Sequence, residues 1–168
     1  MEEPIVNRVQ QSALAVVDLA ELAPEGARTR LDIAQWLDQG LLLREKEFRT
    51  HIETHDWTQY HRHFVAVHCS TAAILPAWAT LLVSSKLALF AQKVVVGTLE
   101  TLENTLFTEA LQQFDVTPYK DRPVMIKGCS DKQVPENAYV LLLARLQKVA
   151  KKISYGEACA AVPLWKRA

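Results

Sequence analysis

Several things this chain lacks narrow what it can be. Five glycines and seven prolines in 168 residues exclude a collagen-like or low-complexity chain. Neither sign of charge is in excess: 19 Lys+Arg balance 19 Asp+Glu, which removes the electrostatic reason to expect nucleic acid or an anionic membrane as partner. Cysteine is scarce and odd in number, at three. The start, Met1-Glu-Glu-Pro-Ile5, has neither a basic n-region nor an apolar h-region. Together these argue against a secretory signal and a disulfide framework and lead us to expect a cytoplasmic protein.

The one long apolar run, Ala72 to Ala91, is interrupted by Pro76, Ser84, Ser85 and Lys86. A membrane span needs about 20 nearly uncharged apolar residues, so a helix buried in a soluble α/β protein explains the run. No G-x-G-x-x-G, G-x-x-x-x-G-K-[ST] or G-x-S-x-G occurs. The standard cradles for dinucleotides and nucleotide phosphates and the serine hydrolase elbow are therefore missing. At the sixth position after Cys69 and after Cys129 stand Leu75 and Pro135, where a cysteine phosphatase loop would place an arginine.

What is present is a core and a rhythm. With 49% hydrophobic residues the chain can bury a sizeable interior, and its length suits one domain, 1–168. Short β-branched runs begin at Val65, Val94, Val124 and Ile153, an even rhythm. Helix-length segments lie between them, and the period matches a strand–helix–strand unit, which takes about 30 residues. This reads as an α/β fold with a mostly parallel sheet and flanking helices. Leu99, Leu102, Leu106, Phe107, Ala110, Leu111 and Phe114 form one apolar stripe at helical period. Tyr139, Leu142, Leu146, Val149 and Ile153 form another, opened by Pro135. These stripes are core. Residues 1–60 form an N-terminal packing segment: a strand over Ala13–Leu19, a turn at Pro24–Gly26, a short helix over Asp32–Gln39 capped by Gly40, and a second helix over Leu41–His55. Residues 64–168 form the repeating βα core.

Cys69, Cys129 and Cys159 keep step with this rhythm, two periods apart and then one. Each follows a strand at its carboxyl end, where open parallel sheets bind ligands. In a flavodoxin-like order, 2-1-3-4, the strands carrying them are neighbours about 4.8 Å apart, and the thiols converge on one cleft. Three thiolates suit zinc, iron or an iron–sulfur cluster. Glu100, Glu157 and His68 are candidates for a fourth ligand. Ser70 and Ser130, beside thiols and ahead of helices, could cap those helices or donate to a bound anion. There is no close C-x-x-C pair, and free cysteines are often simply buried as small hydrophobes. His51 and His55 share a helix face and could hold a metal, though a solvated helix edge describes them as well. His61 and His63 read as surface residues. Glu100 and Glu103 suit the positive end of a helix. Lys151, Lys152, Lys166 and Arg167 read as a solvated basic tail.

Over its whole length the chain resembles a bacterial family of unknown function, domain-of-unknown-function family 2480. The matching stretches are Pro4–Arg8, His55-Asp-Trp57, Val67-His-Cys69-Ser70, Lys93–Glu103, Lys127-Gly-Cys129-Ser130, Val134–Val140, Tyr155-Gly-Glu157 with Cys159, and Val162-Pro163. The resemblance implies no established reaction. It implies a setting beside iron–sulfur assembly proteins, whose genes neighbour those of the family, and so makes such proteins the expected partners. The chain departs from the family pattern at Ala73, where an acidic residue is expected, and at Ala160, where serine is expected.

Three readings follow. The first is a cytoplasmic protein whose three cysteines form a metal or iron–sulfur-related site used in cluster handling. The second is a thiol-dependent redox or nucleophilic enzyme, with Cys69 or Cys129 activated at a helix N-terminus. The third is a non-enzymatic interaction module with buried cysteines.

Overall fold

A computed structural model describes residues 14–128, 133–157 and 160–168. The fold is α/β, and its strands pair mostly in parallel. The chain divides into two compact units, one formed by Glu25–Thr105 and the other by Met1–Pro24 with Leu106–Ala168.

The contiguous unit contains a three-stranded parallel sheet in the order β2-β3-β4, with β2 at Arg28–Asp32, β3 at Phe64–His68 and β4 at Lys93–Val96. Phe64 to Val67 are all buried, the continuous apolar run expected of a central parallel strand covered on both faces. Helix α1 (Glu45–Thr54) precedes β3 and buries Phe48 and Ile52, one turn apart. Helix α2 (Ala77–Leu87) links β3 to β4 and buries Ala79, Val83 and Leu87 at i, i+4 and i+8. Pro76 stands immediately before α2 as its N-cap, so its missing N–H costs the helix nothing. The core of this unit joins Leu31, Ile33, Phe48, Ile52, Val67 and Val83. Each such side chain stabilises the fold by about 1.5–3 kcal/mol relative to exposure.

The second unit holds a four-stranded sheet, β1-β5-β6-β7: β1 at Ala15–Val17, β5 at Pro123–Lys127, β6 at Lys152–Gly156 and β7 at Val162–Lys166. Only the β6–β7 pairing is antiparallel. Helix α3 (Leu99–Gln113) leads into this unit, and α4 (Glu136–Leu146) links β5 to β6. Helix α4 buries Ala138, Leu142 and Leu146, and the unit's core gathers Val17, Leu19, Phe107, Leu111, Ile126 and Leu142.

All four expected βα strands form, but not in one sheet. The runs at Val65 and Val94 become β3 and β4 of one sheet, and those at Val124 and Ile153 become β5 and β6 of the other. The flavodoxin-like order 2-1-3-4 is not the order found. A βα repeat dictates which strands are joined by a helix, not which strands pair across the break between units. Local readings also shift. The helix expected over Asp32–Gln39 is a 3-10 turn, Ile33–Trp36, and the residues before it form β2. The helix expected from Leu41 begins at Glu45. Lys151, Lys152, Lys166 and Arg167 are exposed as expected, but Lys152 lies in β6, Lys166 in β7, and Arg167 pairs with Asp121 at 2.5 Å, so they belong to the sheet edge and not to a tail. Among the described residues no helix is long and apolar enough to cross a membrane.

Candidate functional site

The carboxyl edge of each sheet begins with an aspartate. In the contiguous unit, Asp32 ends β2 directly across from His68, the last residue of β3. One Asp32 carboxylate oxygen accepts from the backbone N–H of Ala34 and of Ser70, both at 3.0 Å. The side chain therefore caps the 3-10 turn after β2 and anchors the first residues after β3. Burial pushes the Asp32 carboxyl up, but the Ser70 hydroxyl, the Ser70 and Ala34 amides and the charge on His68 outweigh it, and the net shift is downward.

Cys69 comes next. It is half-buried, a free thiol, and packs against the core of its unit. Its Sγ lies 3.3 Å from Thr71 Oγ1, and the Thr71 hydroxyl donates to the Gly40 carbonyl at 2.5 Å. A hydroxyl has one hydrogen to give. With that hydrogen on Gly40, the Cys69 S–H is the donor to Thr71. Gly40 turns here with φ +73°, and the link ties the 38–43 loop to the segment after β3. Beyond it opens a shallow apolar groove of about 580 Å³, lined by Leu41–Leu43, Ala72–Ile74 and Trp78.

In the other unit Asp18 follows β1. Its Oδ1 accepts from Ala20 N at 2.9 Å and its Oδ2 from Lys127 Nζ at 2.7 Å. That hydrogen bond and the Asp18 charge raise the Lys127 pKa, with Glu21 and Glu157 adding to it. Strands β5 and β6 run in register to Lys127 and Gly156, and Gly128 N continues the ladder onto Gly156 O at 3.3 Å. The Tyr155 hydroxyl donates to Gly128 O at 3.2 Å. Gly156 takes φ +122°, and a Cβ there would lie 2.7 Å from Ala160 O, so the chain turns back tightly toward β7.

The sequence-expected residues divide accordingly. Cys69, His68 and Ser70 stand together at the end of β3. Cys129, Ser130 and Cys159 lie outside the described residues, but the strands before them, β5 and β6, belong to the other sheet. The single sheet end on which three thiols were to converge therefore does not form. Glu100 is exposed in the first turn of α3, and Glu157 is exposed just after β6. Residues 70–76 separate Cys69 from α2, whose cap is Pro76 with no side-chain hydrogen bond. Ser70 does not cap that helix, and Cys69 does not stand at its N-terminus. Among the described residues no three His, Cys, Asp or Glu side chains are grouped to hold a metal ion.

The histidine pair also separates. His51 is exposed, whereas His55 stacks on Tyr60 at 5.8 Å and meets the Trp36 ring edge-on at 5.1 Å. His63 Nδ1 sits 2.9 Å from Thr29 Oγ1. Sequence reasoning missed Asp18, Asp32 and Lys127. For the two aspartates the available signal was a capping residue directly before an apolar-Ala pair, Asp18-Leu19-Ala20 and Asp32-Ile33-Ala34.

These observations define a class: an α/β protein of two units whose parallel strands end at aspartate-anchored edges, with thiols on the segments that follow. The chain belongs to the family described as Protein of unknown function (DUF2480), whose model matches residues 3–167. No curated protein and no solved structure matches it.

Proposed function

We propose that this protein binds a soft metal ion, zinc or iron, or an iron–sulfur species through cysteine thiolates, and that Cys129 and Cys159 are the principal ligands. The supporting observation is the register of β5 and β6. Lys127 and Gly156 are paired neighbours, in strands about 4.8 Å apart. Cys129 is the second residue after Lys127, and Cys159 is the third after Gly156. Thiols that follow two paired strand ends by two and three residues can reach one thiophilic centre. Glu157 is a candidate oxygen ligand on the same edge.

Cys69 has a different setting: its strand lies in the other sheet, and its S–H is engaged with Thr71. The reading includes a cytoplasmic location, where thiols stay reduced, and exchange of the bound species with iron–sulfur assembly proteins.

The test is metal and acid-labile sulfide analysis of anaerobically purified full-length protein. Wild type is expected to hold zinc or iron near stoichiometry, Cys129→Ser and Cys159→Ser to lose it, and Cys69→Ser to keep it. Metal-free wild type that takes up neither ion on reconstitution would sink the reading. A Cys129–Cys159 disulfide in that protein would favour a redox role instead.

A further inference from the structure

The two units match far more closely than a shared topology requires. The constant shift that carries Pro76 onto Pro135 also carries the strand register: Val65↔Val94 becomes Val124↔Ile153, and Val67↔Val96 becomes Ile126↔Tyr155. The same shift carries buried Phe48, Ile52, Val83 and Leu87 onto buried Phe107, Leu111, Leu142 and Leu146. It also carries over features with no reason to recur in unrelated segments. Arg62, a non-glycine residue at φ +61°, lands on Asp121 at φ +56°. Such residues are only a few per cent of non-glycine positions. Arg62 N donates to Phe90 O at 2.9 Å, and Asp121 N donates to Val149 O at 2.9 Å.

Asp56 caps Thr58 N at 3.0 Å, and Asp115 caps Thr117 N at 2.9 Å. The ring pair His55–Tyr60 at 5.8 Å becomes Phe114–Tyr119 at 5.7 Å. The leading strands obey a shift of their own, in the other direction, which carries Asp32 with its bond from Ala34 N onto Asp18 with its bond from Ala20 N.

We infer that the protein is an internal duplication of one βα unit, and that its cysteines do not fall on equivalent positions of the two copies. The spacing from Cys69 to Cys129 is one position longer than the spacing from Pro76 to Pro135 that defines the repeat. The shift places Cys69 on Gly128 and Ser70 on Cys129. Cys69 packs against the core of its copy. At the matching Gly128 a Cβ would lie 3.0 Å from the Tyr155 ring, which fills that space, and Tyr155 is the counterpart of Val96. At these two positions one copy has a thiol and an exposed valine, and the other has bare backbone and an aromatic ring. Ser70, the counterpart of Cys129, is exposed. The inference thus deepens the thiol reading, on which its functional meaning rests, by making Cys69 a packing residue and matching Cys129 in the repeat to the exposed Ser70.

Two measurements on the full-length chain test it. After chelation and reduction, pulsed alkylation read by peptide mass is expected to modify Cys129 about tenfold or more faster than Cys69. Equal rates, or a faster Cys69, overturn the assignment. Asp56→Ala and Asp115→Ala remove the same cap from the two copies, and each is expected to lower the Tm by about 2–4 °C. A loss in one with none in the other overturns the duplication. Neither readout depends on bound metal, so a metal-free protein would remove the proposed function and leave both results standing.

Discussion

Replacing Asp32 with alanine separates the anchoring role of that carboxylate from everything else at the end of β2. The side chain accepts two backbone N–H groups at 3.0 Å. Loss of an N-cap to alanine costs about 0.5–2 kcal/mol, and the second hydrogen bond is worth about 0.5–1.5 kcal/mol net. Ser70 is exposed, so water partly recovers its N–H, and the combined loss settles near about 2 kcal/mol. In a chain of this size each kcal/mol moves the Tm by about 2–4 °C, which makes the expected drop about 4–8 °C at neutral pH.

The pH dependence has a definite sign. The folded-state pKa of Asp32 lies below its ordinary value of 3.8, so its contribution is fully present above that value and is lost as pH falls through the folded pKa. Wild type and Asp32→Ala should therefore converge in acid, while Asp32→Asn, which still caps, should lie between them at neutral pH. Thermal unfolding followed by circular dichroism across pH reads both effects. An Asp32→Ala protein melting within about 1 °C of wild type at neutral pH, against the several degrees expected, would refute the anchoring role. So would a gap that stays constant on acidification.

Three further outcomes follow from the packing. Burial, only partly opposed by the Asp56 charge, holds the His55 pKa below its ordinary value of 6.5. The unfolded chain takes up that proton first, so wild type should lose stability as pH drops below 6.5, and His55→Phe should flatten that segment of a stability–pH curve; an unchanged slope would count against the assignment. Gly156→Ala forces a Cβ to 2.7 Å from Ala160 O at φ +122° and should cost about 1–3 kcal/mol or more in urea unfolding, whereas a neutral result would mean that the β6–β7 turn relaxes freely. Leu142→Ala empties a fully buried site and should cost about 2–5 kcal/mol in the same assay, with a cost below about 1 kcal/mol indicating that α4 is not packed as described.

The parts of the fold that could be read in advance are those whose signal is local. Buried parallel strands such as Phe64–His68 and Pro123–Lys127 appear as unbroken apolar runs, and α3 and α4 show a helical period. Strand β2 was hidden because Arg28-Thr-Arg30 offers no apolar run, and β7 because Pro163 sits inside it. The division into two sheets was hidden for a deeper reason. The even rhythm of Val65, Val94, Val124 and Ile153 arises equally from four strands in one sheet and from a pair of strands built twice, and only non-local pairing distinguishes them. At the site, the positions of Cys69, His68 and Ser70 at a strand end were legible. That the Cys69 hydrogen would be held by Thr71 was not, because Thr71 is oriented by Gly40, distant in sequence.

The pairing of β1 with β5 sets an order of events during synthesis. Val17 lies beside Ile126, so during synthesis β1 must wait for the whole intervening stretch up to β5 to be made. At about 5–20 residues per second that delay is roughly 5–20 s. Over the same interval the contiguous segment from Glu25 to Thr105 can complete its own sheet. The early strand spans only Ala15–Val17, and so brief a segment offers stray chains little edge to pair with while it is still alone.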